Sequence, residues 1–132
     1  MKYLLDTHTF LWSLFTPEKL SKAVTKTIIS QENNIAVSVI TFWEISLKYS
    51  IGKLELSGIT PGELPEFTEK TGFDIVQINA NEAATFYNLP RLGHKDPFDR
   101  LLIWQAIQRK LILISKDSSF LDYKKYGLQI HW

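Results

Sequence analysis

Five short apolar runs recur along the chain, each closed by a polar residue or a turn. "KYLLD" (2–6) ends in an acid, as expected for a buried strand with a polar carboxyl end. "NNIAVSV" (33–39) places asparagines before a β-branched run and predicts a strand near 35–38. "FDIVQI" (73–78), "LILIS" (111–115) and "LQIH" (128–131) read the same way. Between the runs the period lengthens to that of helices. "TFLWSLF" (9–15) suits a short one, and Thr16 and Pro17 open a segment leading into "LSKAVTKTIISQE". "ITFWEISLKYSIGKL" (40–54) is a long helical stretch with Gly52 as its stop. Residues 55–65, holding Gly58, Pro61, Gly62 and Pro65, form a loop that runs into a helix through "EFTEKTG". "NANEAATFYNL" predicts a helix, "PRLGHK" a loop, 97–109 a helix, and "SSFLDY" a short helix.

Strands alternating with helices predict a parallel sheet covered on both faces. In such sheets ligands bind in the crevice beyond the carboxyl ends of the strands, which makes acids at strand ends worth following. No repeat, low-complexity tract or linker divides the chain, so 132 residues are expected to form one domain.

Composition narrows the chemistry. No cysteine is present, which excludes disulfides, zinc-thiolate sites and thiol nucleophiles. His8, His94 and His131 are scattered without an HxxxH pair, leaving little support for a histidine zinc site. No apolar run reaches the roughly 20 residues that span a bilayer, and the first residues lack a cleavable leader pattern, so a cytoplasmic location is expected.

Asp6 closes the first strand and Asp117 follows the one at 111–115, so both belong to the same edge of the sheet. Each alone is also explained as a turn or cap residue. Glu44 shares a helical face with Ile40, Leu47 and Ile51, which puts a carboxylate within an apolar stripe. Lys48, at i+4, offers a pair worth only ~0.3–0.5 kcal/mol at a surface. Burying an unpaired carboxylate costs several times more, so Glu44 needs a strong partner, and a metal cation is a candidate.

In "HKDPFDRLL" (94–102), Asp96 suits the N-cap, Pro97 the first helical position, and Asp99 the third, the reciprocal position of a capping box. Arg100 lies at i+4 from Asp96 and could pair with it. Asp99 also heads the row Leu102, Ile103, Ala106, Ile107, so its side chain leans towards the buried face. The helix N-terminus favours the ionised form that a metal ligand needs. Capping and ligation are compatible for Asp96, while Asp99 reads mainly as a ligand.

Asp6, Glu44, Asp99 and Asp117 thus form an all-oxygen set from four segments, suited to Mg²⁺ or Mn²⁺. Such a cation would let a carboxylate crevice accept a phosphate and activate water against it. The formal charge of +1 hides this division: setting aside those four acids and Asp96 leaves nine acids against fifteen basic residues. Lys48, Lys53, Lys95, Arg100 and Lys116 lie near the acids in sequence and could hold a polyanion, although each also reads as a solvated surface cation.

With these residues in view, the chain resembles the PIN-domain nucleases, specifically the VapC-like toxins of type II toxin–antitoxin pairs. "LLDTHTFLW" (4–12) is similar to the family's opening strand and first acid, and "SVITFWEISLKYSIGKL" (38–54) to the helix carrying its glutamate. "HKDPFDRLLIWQA" (94–106) resembles the DPFDR block of one VapC branch, and "ISKDSSFLDY" (114–123) the (S/T)-x-D segment. Trp104, where a small residue is common, and Lys116 are departures that remove no acid.

The resemblance implies a three-layer α/β/α fold with a mainly parallel sheet and Mg²⁺- or Mn²⁺-dependent endoribonuclease activity. It implies Asp6, Glu44 and Asp99 as core acids and Asp117 as the fourth, with a metal-activated water attacking RNA. Asp96, Arg100 and His94 belong to the branch's own block, where a supporting role is expected. A small antitoxin and a homodimer are the implied partners. Two rivals stand beside this reading. A haloacid-dehalogenase-type phosphohydrolase needs an aspartate two residues after the first, where His8 stands; a silent PIN-fold module for RNA or protein is opposed by the complete acid set.

Overall fold

A computed structural model describes residues 1–132. Its centre is a five-stranded, all-parallel sheet in the order β3-β2-β1-β4-β5. The strands are β1 (Lys2–Leu5), β2 (Asn34–Ser38), β3 (Asp74–Val76), β4 (Ile112–Ile114) and β5 (Gln129–His131). They coincide with the five apolar runs, because strands buried on both faces read as continuous apolar sequence. Six α-helices connect and cover them: α1 (Thr7–Phe15), α2 (Lys22–Ile29), α3 (Val39–Ser50), α4 (Leu64–Lys70), α5 (Ala80–Thr85) and α6 (Pro97–Arg109). The predicted short helix after β4 is a 3₁₀ turn, Ser118–Tyr126.

Side-chain alternation along each strand divides the interior into two layers. Leu4, Ala36 and Leu113 point to one face, where they pack with Leu102, Ile103 and Ala106 of α6 and with Phe120 and Tyr123. Tyr3, Leu5, Ile35, Val37 and Ile114 point to the other, against Phe10 of α1, Val24 of α2, Ile45 of α3 and Leu64 of α4. The result is the expected three-layer α/β/α arrangement. Each fully buried leucine contributes on the order of 2 kcal/mol, so both layers are needed. No helix is long and apolar enough to cross a membrane.

The strand order has a consequence for function. From β1 the chain builds outward through β2 and β3, then returns to place β4 and β5 on the other side. The reversal falls between β1 and β4, which pair in register from Tyr3–Ile112 to Leu5–Ile114. A crevice opens beyond the carboxyl ends of two such strands, and Asp6 and Asp117 both follow them.

Two expectations for helices change. The apolar stripe assigned to α3 is displaced: Leu47 and Ile51 are exposed, while Ile40, Thr41, Glu44 and Ile45 are buried. The helix ends at Ser50, with Ile51 capping and Gly52 at φ +76°, so glycine is indeed the stop. Arg100 does not pair with Asp96. Its guanidinium donates to the Leu89 carbonyl (3.1 Å) and lies over the Phe86 ring, 4.8 Å from its centroid. Reaching a buried carbonyl and an aromatic face outweighs an exposed i,i+4 pair.

Candidate functional site

Asp6 is the N-cap of α1, its Oδ1 accepting from the Thr9 backbone N–H at 2.8 Å. Its own N–H donates to the Ile114 carbonyl, and Thr9 Oγ1 donates to the same oxygen, which locks the start of α1 to the end of β4. The carboxyl is almost wholly buried. That burial pushes its pKa up, opposed by hydrogen bonds from Ser115 and Thr9. Ser115 also accepts from the Asp117 N–H at 3.1 Å, so one buried hydroxyl lies near both strand-end acids.

Glu44, 2% exposed, is held on both oxygens. Oε1 accepts from Thr7 Oγ1 at 2.6 Å, and Oε2 pairs with Lys48 Nζ. The partner that sequence reasoning demanded is therefore present within the chain, and the i,i+4 pair with Lys48 is not a surface one on the glutamate's side. Burial alone would lower Lys48; its hydrogen bond and charge contact with Glu44, helped by Asp96 and Asp99, hold it above its ordinary value. Trp43 and Phe98, edge to face at 5.0 Å between centroids, join α3 to α6 beside this pair.

Asp96 is the N-cap of α6, with Oδ1 accepting from the Phe98 and Asp99 N–H groups at 2.9 and 3.1 Å. The reciprocal half of the expected capping box is not formed. Asp99 is one methylene shorter than the usual glutamate, and its Oδ2 instead meets His94 Nε2 at 2.9 Å. Burial raises the Asp99 pKa to about 6; the hydrogen bond from His94 opposes this, and the neighbouring charges of Asp96 and Glu44 add to it.

His94 Nδ1 lies 3.0 Å from Ser119 Oγ, and Ser119 holds Asp117 through both its hydroxyl (2.7 Å) and its backbone N–H (2.9 Å). Partial burial raises Asp117, but these Ser119 bonds and the charges of His94 and His8 leave it below the ordinary value. Asp99, His94, Ser119 and Asp117 thus form one polar chain from α6 to the 3₁₀ turn after β4. Phe120 packs edge-on against the imidazole, 5.2 Å away, and fixes its plane.

The tightest grouping of possible ligand atoms is His94, Asp99 and Asp117, all within 4.8 Å of one another. Asp6 and Glu44 stand outside that grouping, tied to it through Ser115 and through the field that Asp99 shares with Glu44. Arg100 faces away, as described, and Lys48 lies with Glu44. His94 is more central than its sequence position indicated. Thr7, Ser115 and Ser119 were missed. Each sits one or two residues from an acid at a strand end, which is the signal that would have found them.

A divalent cation fits this donor set. Oxygen ligands dominate, one imidazole is at hand, and Asp99, raised to about 6 by burial first and by the charges of Asp96 and Glu44 in addition, would be held ionised by a cation.

Comparison with known proteins identifies the family and the fold. A sequence profile described as PIN domain matches residues 3–126. Ribonuclease VapC22 of Mycobacterium tuberculosis is 30% identical over 114 residues, covering 86% of this chain and 85% of that protein. Two solved structures share the fold. VapBC2 from Rickettsia felis, bound to a promoter DNA fragment, superposes with a TM-score of 0.69 at 18% identity, over 99% of this chain and 98% of that one. FitAcB from Neisseria gonorrhoeae superposes with a TM-score of 0.67 at 19% identity, over 100% and 97%.

Proposed function

The chain belongs to the PIN-domain family, in its VapC-like branch, and from that premise we propose that it is a divalent-metal-dependent endoribonuclease. It acts in the cytoplasm as the toxin of a type II toxin–antitoxin pair, with residues 1–132 as one PIN domain. The observation that supports the reading is the grouping of His94, Asp99 and Asp117 within 4.8 Å, with Asp6 lining the same depression as Asp117 and Glu44 close enough to raise Asp99. Ribonuclease VapC22 supports RNA as the substrate, and the VapBC neighbours support a small antitoxin partner. A homodimer is part of the same proposal.

Asp6, Asp99, Glu44 and Asp117 would hold Mg²⁺ or Mn²⁺ directly or through water, with His94 beside them. The cation, when bound, supplies a water of lowered pKa and charge to stabilise the phosphoryl oxygens. The chain does the positioning. Thr9 and Ser115 orient Asp6, His94 orients Asp99, Ser119 orients Asp117, and Thr7 with Lys48 orients Glu44. Lys48, 34% exposed beside Glu44, would also meet a substrate phosphate. In-line hydrolysis would leave a 5′-phosphate on one fragment and a 3′-hydroxyl on the other, the water supplying both the hydroxyl and the proton.

Cleavage of RNA by the wild type with Mg²⁺ or Mn²⁺ is expected to fall by on the order of 10²–10³-fold in Asp6→Asn and in Asp99→Asn. Equal residual activity in all three proteins would attribute the cleavage to a contaminant. The phosphohydrolase rival has no support in the site, since His8 and not an acid follows Asp6 by two residues.

A further inference from the structure

Next to the acids lies an open depression of about 410 Å³, lined by Asp6, His8, Trp12, Lys116, Asp117 and Ser118. Its volume is that of a small-ligand site, and its walls differ in kind. Asp6 and Asp117 contribute acids; His8 and Trp12 contribute rings, and Lys116 and Ser118 a cation and a hydroxyl. The larger depression, of about 730 Å³, lies at the opposite ends of β2 and β3, with Asn34, Ile35 and Phe73 in its wall, away from the acids.

His8 and Trp12 stand four residues apart on α1 and so share one face of that helix, running outward from Asp6. Their rings are 5.9 Å apart and tilted by 41°. Leu11 and Leu14 of the same helix pack on the core beneath, but Trp12 belongs to neither core layer. Its position is instead fixed by the edge of Trp132, 6.0 Å away, and by Lys19, whose Nζ lies 5.8 Å from the ring centroid. A large aromatic that the core does not use, held beside a phosphodiester-cleaving crevice, is the kind of surface on which unpaired bases stack.

We propose that this depression is a nucleobase subsite, in which one unpaired base of the RNA stacks on Trp12 beside His8 while Lys116 meets its phosphate. The adjoining phosphodiester then enters the crevice between Asp6 and Asp117. This deepens the endoribonuclease reading and rests on it. The substrate is single-stranded at that nucleotide, because a base within a duplex has no free face to offer. Preference among bases is weak, since every base has a stacking face.

Binding of a labelled single-stranded oligoribonucleotide by the full chain, in an Asp99→Asn background with Mg²⁺, tests the proposal by fluorescence anisotropy. Trp12→Ala is expected to weaken binding about tenfold and Trp12→Phe by less than about threefold. A scan of single abasic positions is expected to find one that costs the Trp12-containing protein a similar factor and costs Trp12→Ala nothing further. A perfect duplex is expected to bind without dependence on Trp12. Unchanged affinity in Trp12→Ala, or an abasic penalty of equal size with and without Trp12, overturns the subsite. The endoribonuclease reading fails separately, if the wild type cleaves no RNA with metal while Trp12-dependent binding persists.

Discussion

The two ends of α6 hold the same chemical group in opposite circumstances. Asp99, in the first turn, keeps 22% of its side chain exposed, yet its pKa rises to about 6. Glu82, packed against the last turn, keeps only 4% exposed, yet its pKa is lowered. At Asp99 burial is the largest cause and prevails, whereas at Glu82 the Arg109 hydrogen bond outweighs it. The partners set the difference in sign. Arg109 grips Glu82 through Nε and a terminal nitrogen, at 2.7 and 2.8 Å to the two carboxylate oxygens, and the backbone N–H of Asn79 adds a third bond. Asp99 has one imidazole contact and faces Asp96 and Glu44. Glu82 is matched by a cation of its own chain, whereas Asp99 has only an imidazole to offset its burial and two neighbouring carboxylates.

The sharpest test of this contrast is at the matched end. Arg109→Ala is expected to cost about 2–3 kcal/mol, less than a fully buried pair because Arg109 is partly exposed, and to leave RNA cleavage per folded molecule unchanged. Urea denaturation at pH 7 measures it. Because the folded pKa of Glu82 lies below its ordinary value, the contribution is present at neutral pH and disappears as pH falls through that folded value. The loss in Arg109→Ala should therefore shrink in acid.

The opposite end predicts the opposite sign. Asp99 has its folded pKa above the unfolded value, so ionising it opposes folding: its favourable contribution is present below about pH 4 and lost as pH rises through about 6. Without added metal, Asp99→Asn is expected to gain about 1–2 kcal/mol at pH 7, even as cleavage collapses, and to gain nothing near pH 3. A neutral-pH destabilisation would mean that Asp99 is matched after all. The smallest effect concerns the helix terminus beyond Arg109. Lys110 caps α6 at φ +56°, a left-handed conformation that favours glycine. Lys110→Gly is expected to raise stability by about 0.5 kcal/mol, offset in part by the freer unfolded chain, and calorimetry should resolve the shift in Tm.

What could be read along the chain depended on range. The capping of α6 by Asp96, the stop at Gly52 and the inward row from Asp99 to Ala106 all follow from neighbours within a turn or two, and the structure carries them. On α3, Ile40 and Glu44 are buried as the stripe requires, but Thr41 and Ile45 complete the inward face in place of Leu47 and Ile51, and Glu44 meets Thr7, a residue 37 positions away. Arg100 and Asp96 satisfy the spacing of a helical ion pair, but the Leu89 carbonyl and the Phe86 ring offered Arg100 a better-shielded partner. The Asn79–Glu82 cap is local, while the clamp from Arg109 joins residues 27 apart that no periodicity connects.

By itself, the order of apolar runs and helical stretches determined a parallel α/β sheet, and the strand-end positions of Asp6 and Asp117 placed them at one rim. The tertiary structure alone decided which acids share a field, which are neutralised, and that His94 bridges Asp99 to Ser119. The physical reason is that hydrophobic periodicity is written into neighbouring residues, whereas the charge state of a buried carboxylate depends on whatever distant side chain the packed fold brings within hydrogen-bonding reach.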